Sequence, residues 1–131
     1  MISVTNIEKR FGPLDVLKSI SAHFESGHSY ALIGPNGSGK TTLIKSILGM
    51  VVPDNGKIEV DGESIKGQWA YREKIGYMPQ IGRYPDNMTI GQLFAMIKDL
   101  RADCKTIDEE LIEGFGLDKL MNKRMHTLSG G

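Results

Sequence analysis

The stretch Gly34-Pro35-Asn36-Gly37-Ser38-Gly39-Lys40-Thr41-Thr42 carries the plainest chemistry in this chain. Gly34, Gly39, Lys40 and Thr41 stand at the G-x-x-x-x-G-K-[ST] spacing of a loop that cradles a polyphosphate. Glycine lets consecutive backbone N–H groups turn inward around an oxyanion. A helix starting at the same point adds its partial positive charge. Lys40 would reach the β- and γ-phosphates of a nucleotide, and the Thr41 hydroxyl would sit on a magnesium ion. Such a loop needs a strand before it and a helix after it. Tyr30-Ala31-Leu32-Ile33 reads as a buried strand and Leu43–Leu48 as a helix, so the context fits. The bland alternative, a β-to-α turn that merely uses glycine, does not call for the lysine and the hydroxyl as well.

Other elements are legible around the loop. Residues 2–8 and 16–24 alternate as strands, joined by a turn at Phe11-Gly12-Pro13. Gly49 offers a helix cap and Pro53 forbids continuation. Asp54-Asn55-Gly56 signals a hairpin before the strand Lys57–Val60, and Asp61-Gly62 signals another tight turn. Together these predict a small antiparallel sheet. Residues 68–74 suit a short helical turn, and Lys74–Met78 reads as a strand closing at Pro79-Gln80. Thr89 with Gln92, and Thr106 with Glu109, are capping boxes. The first opens a helix whose apolar residues Ile90, Leu93, Phe94, Ile97 and Leu100 share one face. A further short helix is expected near Leu117–Lys123.

Composition narrows the setting. The chain has 131 residues, 40% of them hydrophobic, with 16 basic and 16 acidic side chains. That suits one ordinary domain and gives no electrostatic footprint for nucleic acid. Lysines 45, 57 and 66 interrupt the most apolar third, and residues 1–7 lack the pattern of a secretory leader. A chain that neither spans a membrane nor is secreted is therefore expected. The one cysteine, Cys104, cannot form an internal disulfide and is expected at the surface. His23, His28 and His126 lack metal-ligand spacing, so packing or surface roles are favoured.

Taken together, Phe11, Gly34 to Thr42, Gln80 and Leu128-Ser129-Gly130-Gly131 resemble, in order and over nearly the whole chain, the ATP-binding subunit of an ABC (ATP-binding cassette) transporter. The resemblance implies an α/β fold of the P-loop NTPase type, with an antiparallel β subdomain, a helical subdomain and an incomplete sheet. It places the nucleotide core at 1–80, and a glutamine loop with the helical part at 81–131, in one truncated domain. It implies ATP and magnesium as ligands. Phe11 would stack on adenine, where the competing reading is a core phenylalanine. Pro35, Asn36, Gly37, Ser38 and Gly39 would wrap the phosphates, and Thr42 would add a hydroxyl to the α-phosphate. Lys40 and Gln80 would be the catalytic contributors, with Thr41 and Gln80 at the metal. Ser129, Gly130 and Gly131 would bind the γ-phosphate held by a second, head-to-tail chain. Ile81, Tyr84, Pro85 and Met88 would help receive a helix of a membrane permease, on the inner face of the cell membrane.

The same resemblance implies an aspartate, a catalytic glutamate and a switch histidine that these residues do not include. Weak nucleotide binding, inefficient hydrolysis and a tendency to aggregate are expected of the chain on its own. Two other readings stay open at this stage. One is a soluble tandem-cassette ATPase of translation, and the other is a non-catalytic nucleotide-binding fragment.

Overall fold

The structure, a computed structural model, describes residues 1–80, 82, 84–101 and 109–128. It divides into two compact units, Met1–Tyr77 and Met78–Gly131.

The first unit is a four-stranded antiparallel sheet with one helix on it. Strand β1 (Ile2–Phe11) is flanked by β2 (Leu14–Phe24) and β3 (Asn55–Val60), and β4 (Glu63–Ser64) closes the edge, in the order β2-β1-β3-β4. Alternation alone would put Val4 and Ile7 on opposite faces, yet both are buried. The register of β1 against β2 shifts between them. Asn6 supplies the irregularity at φ 49°, and its N–H donates to Ser21 Oγ at 2.9 Å. This bulge turns the strand's phase by one residue. Val4, Ile7, Leu17 and Ile58 then meet Leu43 of the helix α1 (Lys40–Ile47) in a single buried cluster.

Helix α1 ends as its sequence demands. Gly49 lies at φ +66°, its N–H donating to Ser46 O and that of Met50 to Lys45 O. This pair of hydrogen bonds closes a Schellman cap, which favours glycine at that position. A short 3-10 turn, Ala70–Lys74, follows β4.

The second unit holds α2 (Ile90–Leu100) and the short α3 (Glu110–Gly114), followed by single 3-10 turns at Leu117–Leu120 and Met125–Thr127. The Thr89 box forms as expected. Gln92 N–H donates to Thr89 Oγ1 at 3.2 Å, and Thr89 N–H donates to Gln92 Oε1 at 2.9 Å. Ile90 N–H and Gly91 N–H bond Lys123 O and Met121 O, so the start of α2 is also held by the later turns. Cys104 and the Thr106 half of the second box lie outside the described residues. No helix among the described residues is long and apolar enough to cross a membrane.

Three expectations need correcting. Tyr30–Ile33 is not a strand: it has no regular structure, and Ile33 is 90% exposed. Residues 75–78 likewise form no strand, with Met78 90% exposed. An apolar run marks a strand buried in a parallel sheet, but it forms one only beside a hydrogen-bonding neighbour. Among the described residues neither segment lies beside a strand. The third correction concerns Asp54-Asn55-Gly56, which is no hairpin turn. Asn55 and Gly56 begin β3 and run against β1, with Glu8 opposite Asn55. Asp54 is drawn there by Lys9, at 2.7 Å, and by the Arg10 N–H, at 2.8 Å.

Candidate nucleotide site

The phosphate-loop candidate is built on β2 and α1. Gly39 is the N-cap of α1, at φ +90°. A Cβ there would stand 2.8 Å from Val16 O and 2.9 Å from Leu17 Cδ2. Position 39 therefore has two independent demands for glycine, left-handed backbone and direct contact with β2. Below it, Leu43 is buried and Ser46 is fully buried, its Oγ donating to Thr42 O at 2.9 Å. The helix is seated on the sheet by apolar contact, and no side chain caps its first N–H groups. Those groups, with their share of the helix dipole, face the exposed loop.

Lys40 folds back across that loop. Its ammonium donates to Gly34 O and Pro35 O, each at 2.7 Å, and lies 3.5 Å from Ser38 Oγ. Gly34 is close-packed to the same serine, since a Cβ on it would come within 2.9 Å of Ser38 Oγ. Residues 34–38 and Thr41 are exposed. The result is a ring of backbone with a cation at its mouth, open to solvent and seated on a helix N-terminus. An anion of phosphate size and a hydroxyl-bound divalent ion suit that donor set.

Phe11 is not a core residue. It ends β1 at the hairpin tip and is 49% exposed. Lys9 Nζ lies 5.4 Å from its ring centroid while pairing with Asp54. Lys9 and the Arg10 N–H hold the Asp54 carboxyl below its usual range. This partnership was not singled out from the sequence, although residues two apart on a strand share a face and Lys9-x-Phe11 is such a pair. Val16 is the other omission. It read as one more strand residue, and only the packing shows its carbonyl behind Gly39.

Gln80 belongs to the second unit, where it is exposed at a bend without regular structure. Ser129, Gly130 and Gly131 lie outside the described residues, as does Ile81. Tyr84 is 40% exposed. His126 donates through Nδ1 to Asp86 O at 2.6 Å, a packing role.

Comparisons with known proteins agree on one family. The Fe(3+) ions import ATP-binding protein FbpC of Mesorhizobium japonicum is 35% identical over 137 residues, covering 99% of this chain and 38% of that protein. The Nod factor export ATP-binding protein I of Burkholderia lata is 32% identical over 138 residues, covering 99% and 44%. The chain thus spans less than half the length of these curated relatives. A solved ATP-binding subunit of an ABC transporter superposes with a TM-score of 0.83 at 22% identity, covering 98% of this chain and 56% of that one. This likeness shows the fold, that of a P-loop cassette. The family model described as ABC transporter matches residues 17–131, and with the loop built on β2 and α1 as above, the chain belongs to that family.

Proposed function

We propose that this chain is the nucleotide-binding part of an ATP-binding subunit that couples ATP binding and hydrolysis to transport across a membrane. One observation carries this reading: Lys40 is held over the Gly34–Ser38 loop at the open N-terminus of α1. The loop N–H groups of residues 36–39 and the ammonium would neutralise the β- and γ-phosphates, with Thr42 at the α-phosphate. The Thr41 hydroxyl and Gln80 would hold magnesium, which supplies charge neutralisation between phosphate oxygens. Phe11, exposed at its hairpin tip, is available to stack on the base. The lysine above it would swing to Asp54 alone as the ring is covered.

A relative named for import and one named for export each match 99% of this chain, which supports a transport role. They lend no support to a tandem-cassette ATPase of translation. A second copy contributing Ser129, Gly130 and Gly131, and a permease seated by Tyr84, Pro85 and Met88, complete the reading. It places the subunit against the inner face of the membrane. Titration with a fluorescent ATP analogue in the presence of magnesium tests it. Lys40→Met should weaken binding at least tenfold, the loss of one charge-assisted contact worth roughly 1.5–3 kcal/mol. Equal binding by both proteins would sink the assignment.

A further inference from the structure

The 3-10 turn Ala70–Lys74 grips the far end of the phosphate-loop helix. Arg72 Nη2 donates to Gly49 O at 3.1 Å. A Cβ on Gly49 would stand 2.5 Å from both Arg72 Nη2 and Tyr71 Oη. Both side chains therefore rest on the face that glycine leaves open. Arg72 Cζ is 5.8 Å from the Tyr71 ring centroid, and the Tyr71 hydroxyl is buried with no hydrogen-bond partner among the described residues. A buried hydroxyl left unpaired is kept there by packing. Lys74 pairs with Asp61 of the β3–β4 turn at 2.9 Å, so the 3-10 turn is pinned on two sides.

The carbonyls at a helix C-terminus carry the negative end of its dipole, and a guanidinium there satisfies one carbonyl while opposing that charge. In α1 the opposite end bears Gly39, Lys40 and Thr41. A helix of eight residues is a stiff rod roughly 12 Å long, and this one is buried through Leu43 and Ser46, with Leu48 just past its last residue also buried. Being stiff, it carries any change of direction at its C-terminal end to the loop at the other.

We propose that Arg72 is a positioning residue for the nucleotide site: by holding Gly49 O it sets the direction of α1, and with it where Lys40 and the loop N–H groups point. This rests on the reading of Gly34–Thr42 as a nucleotide site. Arg72 touches no phosphate; it acts through the helix.

The test uses the full chain with Arg72→Met, which keeps the stem and removes charge and donors, and Arg72→Lys, which restores a charged donor. Two readouts are taken, magnesium-ATP affinity and amide hydrogen exchange. Arg72→Met should weaken affinity roughly three- to tenfold, less than the hundredfold that a full 1 Å displacement can cost. It should also speed exchange at Gly49, Met50 and Val51 while Val4, Ile7 and Leu17 keep their protection. Arg72→Lys should recover most of both. Faster exchange with unchanged affinity would reduce Arg72 to a cap and overturn the proposal, as would lost protection throughout the sheet. Failure of the unsubstituted chain to bind ATP would remove the nucleotide reading itself. That outcome is told apart because exchange at Gly49–Val51 reports the cap without nucleotide.

Discussion

At the scale of residues, glycine and lysine in the phosphate loop are explained by contacts that differ in kind. Gly37 has φ +81° with nothing within 4 Å of an added Cβ, whereas Gly39 has φ +90° and meets β2 at once. Alanine at either position pays for left-handed backbone, about 1–3 kcal/mol, but only at 39 does it also press on Val16 O. Gly39→Ala is therefore expected to lower the melting temperature more than Gly37→Ala. Comparable losses from the two, in thermal unfolding followed by circular dichroism, would contradict the contact with β2. The need for glycine was readable from spacing. Its second cause was not, because Val16 is 23 residues away in sequence and reaches Gly39 only through the fold. Phe11 makes the same point from the other side: an apolar residue beside a turn fits core or surface equally well until its exposure is seen.

Among the elements, the Thr89 capping box and the Gly49 cap formed where expected. Thr89 and Gln92 specify the start of α2 by bonds spanning three residues, and Gly49 specifies the end of α1 in the same way. Removing the Thr89 hydroxyl should therefore cost about 1 kcal/mol. Chemical denaturation of Thr89→Ala checks this, and Thr89→Ser should lose much less. Elements that depend on a distant partner were the ones misread. Tyr30–Ile33 and residues 75–78 have strand composition but, among the described residues, no strand neighbours. Asp54-Asn55-Gly56 has turn composition, yet Lys9 and the Arg10 N–H tie Asp54 to β1 and carry the next two residues into the sheet. The bulge at Asn6 was invisible to alternation for a related reason, since it is defined by the slip of one strand against another.

For the whole molecule, the consequence is apolar surface left open to solvent. Ile33 and Met78 are each 90% exposed, Val52 75% and Trp69 74%. Scattered apolar side chains are ordinary, but a strand-forming stretch without a partner invites pairing between copies. The chain by itself should bind a hydrophobic dye and scatter light increasingly with concentration. Ile33→Lys should reduce both while leaving the secondary-structure signal unchanged. A clear monomer with no dye response would show that the segment is covered. The two units, joined after Tyr77, divide the chemistry as well: the phosphate loop and Phe11 stand in the first, and Gln80 in the second. The sequence by itself determined the loop, its lysine and hydroxyl, the helix caps and the family, because each is written in residues close enough to bond one another or in a fixed order along the chain. Only the tertiary structure decided which apolar runs became strands, that β2 backs Gly39, and that Arg72 holds the end of α1. Those outcomes turn on partners far apart in sequence, and hydrogen bonds and packing across such distances exist only once the chain has folded.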